Sequence, residues 1–260
     1  MHAAEREQLI LELLQQRGFI RFEELDRRIQ GSPATLRRDL HRLEKDGKIT
    51  RLRGGARLIG SERTTRPGLA GVPFQENIGK NRKQKEIIGR AAAALCKPGE
   101  SVIIDGGSTT LQMCHLLEPL GLQVLTNSLH IVSALLAQPG TQVSVPAGTI
   151  FREQNIILSP IEDDGMERFH ASKLFMSAAS IGTHGLMQTD VLLVQVERRL
   201  LDRADEVVAL IDSSKFDAPT GHAVCRLQDI DILITDSGIA DRHVKMLEKA
   251  NVRVLVAEDH

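Results

Sequence analysis

Ser32-Pro33-Ala34-Thr35-Leu36-Arg37-Arg38-Asp39-Leu40-His41-Arg42-Leu43 is the stretch that decides how the first part of this 260-residue chain folds. A serine before a proline starts a helix well: the hydroxyl can cap the free N–H groups, and proline at the first helical position lacks only an N–H that would be unbonded anyway. Leu36, Leu40 and Leu43 recur at intervals of four and three, so one face is apolar and Ala34, Thr35, Arg37, Arg38, His41 and Arg42 point elsewhere. Asp46-Gly47 ends the helix. Lys48 to Leu58 then reads as a hairpin with a glycine turn at Gly54-Gly55 and basic arms. Upstream, Leu9, Ile10, Leu13 and Leu14 give a first amphipathic helix stopped by Gly18, and Phe22, Leu25 and Ile29 give a second, shorter one ending near Gly31.

Three short helices and a basic hairpin make a winged helix-turn-helix over residues 1–58. Charge supports that reading. Net charge is only −1, but residues 1–60 carry thirteen Lys and Arg against nine Asp and Glu, and the rest of the chain is acidic. Between Arg27 and Arg57 ten basic side chains face three acidic ones, which suits a polyanion; charge alone leaves a solvated helix face as the alternative, and the order of elements along the chain decides between them. Only the first turns of a recognition helix reach the floor of the major groove, where arginine can bond guanine through two hydrogen bonds. Ser32, Thr35, Arg37 and Arg38 occupy that end, and Arg42 with Arg51, Arg53 and Arg57 completes the expected DNA-facing set. Alternatives exist for single residues: Thr35 can simply serve the helix start, and either arginine can contact phosphate or pair with Asp39 or Glu44.

Residues 59–79 are rich in Gly, Pro, Thr, Ser and Arg without periodicity, as in a linker. From about residue 81 a helical pattern runs to Cys96. Short apolar runs at 102–104, 123–125, 142–145, 173–176, 207–211, 232–234 and 252–256 then alternate with helical patterns at 109–117, 129–137, 192–203 and 240–249. Such alternation predicts an α/β domain over residues 80–260 with a largely parallel sheet covered on both faces. Ligands of these sheets bind beyond the carboxyl ends of the strands. There, Asp105-Gly106-Gly107-Ser108-Thr109-Thr110 joins glycine freedom, hydroxyls and helix-start N–H groups, a combination that suits a phosphate or carboxylate but is also compatible with a plain capped turn. It is not a nucleotide P-loop, because no lysine follows at the required spacing. Thr126-Asn127-Ser128 and Asp212-Ser213-Ser214-Lys215 end two further strands, the latter bringing a cation.

These residues resemble the DeoR family of bacterial sugar-metabolism repressors. The likeness runs from Glu5 through Ser32 to Leu40 and Arg53-Gly54-Gly55-Ala56 to the loops at 105–110, 126–128 and 212–216, in order and spacing. It implies an effector domain similar in fold to ribose-phosphate isomerases, which senses a phosphorylated sugar and usually releases DNA on binding it. Carried over, Asp105, Gly106, Gly107, Ser108, Thr109 and Thr110 would hold the phosphate, Asn127 would line the pocket and Lys215 would add charge. Pro146-Ala147-Gly148 departs from paired glycines common in the family. Leu193 and Gln195 stand where acidic residues are frequent, with Glu197 the nearest carboxylate. Ile157 to Pro160 and Thr189 to Glu197 look most like the ascorbate-utilisation branch, which implies a sugar-acid phosphate.

The competing class is an isomerase-like enzyme, with Asp105, Asp190, Glu197 or Asp212 as acid or base and a lysine beside it; the first sixty residues argue against it. A structural nucleoid protein would need basic charge throughout. Histidines do not cluster, so no metal and no cofactor is expected. The longest apolar run, Ala91 to Cys96, is far below the roughly 20 residues of a membrane span, and no secretion signal is expected. Cys96, Cys114 and Cys225 are widely spaced, as in a reduced cytoplasmic protein. The expected partners are double-stranded operator DNA and a phosphorylated sugar or sugar acid, bound by a homo-oligomer, dimer or tetramer, to match operator symmetry.

Overall fold

A computed structural model describes residues 2–17, 19–29, 32–52, 55–58, 74–152, 154–159, 165–218 and 221–258. The chain divides into two units, Met1–Pro67 and Gly68–His260.

In the first unit, helices α1 (Ala3–Arg17), α2 (Phe22–Arg28) and α3 (Pro33–Lys45) accompany strands β1 (Phe19–Arg21), β2 (Ile49–Leu52) and β3 (Gly55–Leu58). The strands form one antiparallel sheet in the order β1-β3-β2. Ile10, Leu14, Ile20, Leu25, Leu36, Leu43 and Ile49 fill its core. The Ser32 hydroxyl accepts from the Thr35 amide at 3.2 Å and caps α3 as its sequence requires. One core position of α3 is charged: Asp39 lies between the leucines, fully buried, and takes Arg6 at 2.7 Å and Arg42 at 3.2 Å. β1 was not expected. Three residues between two helices carry too little periodicity to register, and pairing with β3 defines them.

The second unit holds α4 (Phe74–Asn77), α5 (Arg82–Ala93), β4 (Ser101–Ile104), β5 (Gln123–Leu125), α6 (Leu129–Leu135), β6 (Gln142–Ser144), β7 (Thr149–Phe151), β8 (Ile156–Leu158), β9 (Ala171–Met176), β10 (Ser180–Gly182), β11 (Gly185–Gln188), α7 (Val191–Leu201), β12 (Ala204–Leu210), β13 (His222–Cys225), β14 (Ile232–Asp236), α8 (Asp241–Lys249) and β15 (Arg253–Ala257). All seven expected strands join one sheet in the order β15-β14-β12-β9-β4-β5-β6, and every pairing is parallel. Alternate residues of each strand feed two cores. Val102, Ile104, Phe175, Val208 and Leu210 meet α5 and α6 on one face, while Ile103, Leu174, Met176 and Ala209 meet α7 and α8 on the other. A hairpin, β7-β8, and a three-stranded antiparallel sheet, β10-β11-β13, complete the unit.

Two expectations need correction. The helix expected at 109–117 is a 3-10 run, Thr110–Leu116. It lies against α5 almost backbone to backbone, since a Cβ on Gly89 would meet Gln112 at 2.8 Å. The linker expected at 59–79 overruns the second unit: Phe74 is buried and stacks on His130 with ring centroids 4.2 Å apart, so 74–79 belong to that unit, and 59–73 lie outside the described residues. No helix among the described residues is long and apolar enough to cross a membrane.

Candidate functional site

Strand order fixes where a ligand can sit. The chain moves outward from β4 to β5 and β6, then returns to β9 on the other side of β4, so β4 and β9 are neighbours whose following loops diverge. A cavity of about 270 Å³ opens there, walled by the loops after β4, β9 and β12, by α7, and by the segment from α4 to α5.

The loop after β4 is held from within. Thr110 Oγ1 accepts from the Gly107 amide at 3.0 Å and donates to the Asp105 carbonyl at 2.7 Å, so this hydroxyl braces the turn. A Cβ on Gly107 would stand 3.0 Å from Ser177, which is why the loop needs glycine there to lie against the end of β9. Asp105, Gly106, Gly107 and Ser108 line the cavity. Ser108 is only 3% exposed and its hydroxyl has no partner among the described residues. Thr109 is fully buried and lies off the cavity wall, its hydroxyl likewise unpartnered. Asn127 stands behind Gly106, its amide oxygen 3.2 Å from where a Cβ on that glycine would be, and is not part of the wall. Of the eight expected ligand residues, Asp105 to Ser108 and Lys215 are brought together at the cavity; Thr109, Thr110 and Asn127 support the loop from behind.

Cations converge on the same space. Lys215 Nζ donates to Ser177 Oγ at 2.9 Å, and the Ser177 hydroxyl in turn donates to the Leu210 carbonyl at 2.9 Å. The Lys215 side chain is half-buried and lines the cavity. Desolvation pulls the ammonium down to about 8, against the attraction of Asp212 and with the repulsion of Lys85. Lys85 is 1% exposed, donates to the Asn77 carbonyl at 2.5 Å and is also pushed down by burial. Asp212 accepts from Asn81 at 2.9 Å and from Ser214 at 2.5 Å, which ties the start of α5 to the end of β12. Asn81 adopts a left-handed conformation, φ 50°, in making that reach.

Besides Asp212, two carboxyls share the cavity. Burial raises Asp105 to about 6, partly offset by amide bonds from Gly106 and Ser177. Glu197, on α7, is 3% exposed, accepts from Gln188 at 2.6 Å, and is raised well above the ordinary range by burial and by Asp105. Asp190 is elsewhere engaged, capping α7 through the Leu192 amide at 2.8 Å. Sequence reading missed Lys85, Ser177 and Gln188 as wall residues. Lys85 sits in a run of charged residues that looks like any solvated helix face, and the other two lie on strand ends whose pairing only the fold supplies. A larger cavity, about 590 Å³, lies between α7 and β13, but its cations are engaged: Arg198 bonds the Ala223 and Val224 carbonyls and Arg226 pairs with Asp229.

On α3, Thr35, Arg37 and Arg38 stand on the outer side at its N-terminal end. Arg37 lies over the Phe22 ring at 5.2 Å, and Arg38 is exposed with no ion pair among the described residues. The pairing offered as an alternative for these two falls to others: Asp39 takes Arg6 and Arg42, and Glu44 takes Arg51 at 3.9 Å. Arg42 also reaches Glu7 at 3.0 Å while half its surface stays open. Arg57 is on β3, opposite Thr50, and Arg53 lies outside the described residues.

A helix-turn-helix module joined to a parallel α/β domain with a polar strand-end cavity is the make-up of a ligand-responsive transcriptional regulator. The family model of the DeoR-like helix-turn-helix domain matches residues 6–62, and that of the DeoR C terminal sensor domain matches residues 80–237. Over 257 residues, 98% of this chain and 99% of the relative, the sequence is 33% identical to the HTH-type transcriptional regulator UlaR of Shigella dysenteriae serotype 1 (strain Sd197). The same figures hold for UlaR of Escherichia coli (strain K12 / DH10B). The chain belongs to the DeoR family of transcriptional regulators. Among solved structures, ribose 5-phosphate isomerase A from Methanocaldococcus jannaschii superposes with a TM-score of 0.39 at 16% identity, over 52% of this chain and 55% of that one. The eIF2B delta subunit from Chaetomium thermophilum gives 0.43 at 15%, over 60% and 56%.

Proposed function

We propose that this regulator represses a carbohydrate-utilisation operon, and that a phosphorylated sugar or sugar acid in the strand-end cavity releases it from its operator. One observation carries the reading: around a single cavity stand a buried hydroxyl with no partner among the described residues, Ser108, and two desolvated lysines, Lys85 and Lys215. Burying such groups costs free energy that an incoming anion returns, because it satisfies the hydroxyl and favours the charged form of the lysines. Lys80 adds a third cation at the wall, which suits a ligand with more than one negative charge, as in a sugar-acid phosphate.

The ligand is a signal, not a substrate. A sensor needs only different affinities in two states, and the protein therefore binds a sugar phosphate without turning it over. An even homo-oligomer fits two-fold operators. The test is a titration of operator DNA with and without a panel of phosphorylated sugars and sugar acids, with ligand binding read by calorimetry because the chain has no Trp or Tyr. At least one compound is expected to weaken operator binding while remaining chemically unchanged. Product formation that disappears in Asp105→Asn would replace this reading with the enzymatic one.

A further inference from the structure

Glu197 lies on the cavity wall with one oxygen that nothing among the described residues uses. Gln188 binds Oε1, while Oε2 is buried and has no hydrogen-bond partner among the described residues. The side chain is 3% exposed and belongs to the cavity wall. A buried carboxyl left half-satisfied is costly, and packing does not require it: the neighbouring α7 residues Leu193 and Val196 pack against the β7-β8 hairpin through apolar contacts alone. A polar group kept at such a cost next to a ligand space is a recognition element.

The chemistry of its partner is constrained. A phosphate or carboxylate suits only the protonated acid, since an ionised Glu197 repels it. A hydroxyl suits the carboxyl in either protonation state, because it can donate to the carboxylate and accept from the acid. Asp105, another buried carboxyl of the wall, offers the same chemistry, whereas Asp212 is taken by Asn81 and Ser214, so the cavity combines lysines for an anion with carboxyls for hydroxyls. Resting on the reading of the cavity as a site for a phosphorylated ligand, we propose that Glu197 is the specificity-determining residue that reads the hydroxyl groups of that ligand, and so admits phosphorylated polyols, sugars or sugar acids while rejecting phosphates without hydroxyls.

The experiment titrates the full chain by calorimetry with inorganic phosphate, n-hexyl phosphate, and a set of hexose, hexitol and sugar-acid 6-phosphates. Wild type is expected to prefer its best hydroxylated probe over n-hexyl phosphate by about tenfold or more, since a polar site rejects an analogue lacking the hydroxyl it binds. Glu197→Leu should bring that preference within about threefold without lowering the affinity for inorganic phosphate, and should melt no earlier than wild type in the absence of ligand, because an unsatisfied buried oxygen has gone. Glu197→Gln, which keeps the shape and one acceptor, serves if the leucine variant does not fold, and should reduce the preference less. Variants that retain the wild-type preference overturn the proposal. Wild type that binds none of these phosphates overturns the underlying reading of the cavity, a separate failure.

Discussion

Ser108 and Thr110 sit two residues apart in one loop with opposite consequences. The Ser108 hydroxyl is buried and unused, so Ser108→Ala should leave the ligand-free melting temperature unchanged or slightly raised. It should also weaken an anionic effector by about 1.5–3 kcal/mol, the worth of one hydrogen bond to a charged group. Thr110→Val should do the reverse. It removes the bonds that brace the loop at Gly107 and Asp105, leaves buried backbone groups unmet, and costs about 1–3 kcal/mol of stability measurable by calorimetric melting. Wild-type effector affinity in Ser108→Ala would show that Ser108 makes no contact with ligand. On the DNA side, Arg37→Ala and Arg38→Ala should each weaken the operator complex by about 1–3 kcal/mol where the lost contact is bidentate. Operator affinity unchanged in the double variant would move the recognition surface off this end of α3.

At the scale of elements, legibility followed periodicity. The central strands of the parallel sheet carry apolar runs because both their faces are covered, the edge strand β6 being largely exposed, and the recognition helix announces itself through Ser32, Pro33 and three leucines. The antiparallel pieces are three or four residues long, and what defines them is pairing between segments distant in sequence. The candidate cavity divides the same way. Loops that directly follow apolar runs, at Asp105 and Asp212, could be found; Gln188 and the α4–α5 segment could not, since topology alone brings them to one place, and Ser177, although it follows the run at 173–176, has no glycine or charge beside it to mark its loop. Gly185 shows what the unread sheet does. It turns β10 into β11 at φ +101°, and a Cβ there would collide with the Cys225 carbonyl of β13, which is backbone and cannot move aside. Gly185→Ala should therefore cost stability by strain of about 1–3 kcal/mol and more from the collision. Because β11 ends at Gln188, which holds Glu197, effector binding should weaken as well. Wild-type melting and effector affinity in this variant would mean that the β11–β13 pairing is not needed to shape the cavity.

For the whole molecule, protonation of Lys215 links effector, stability and operator release. Folding lowers this lysine from 10.5 to about 8, so between those values the unfolded chain holds more protons than the folded one, and ligand-free stability should rise with pH across that window. Effector binding should run the other way: an anion needs the ammonium, which is lost as pH climbs through about 8, and affinity then falls by up to about tenfold per pH unit. Binding energies are reciprocal. Whatever factor the effector takes from operator affinity, the operator takes from effector affinity, so a weaker effector at pH 9 must be supplied at higher concentration to release the same DNA, while the ligand-free protein's operator affinity carries no contribution from this lysine. Lys215→Met removes the titrating group with little loss of apolar volume. It should flatten both pH slopes, bind operator as wild type does, and resist release by the effector at every pH. The measurements are calorimetric melting and effector titration between pH 7 and 9.5 for both proteins, with operator binding measured alongside at each pH. Slopes that persist in Lys215→Met would assign the linkage to another group, and release of the variant at wild-type effector concentrations would remove Lys215 from the site.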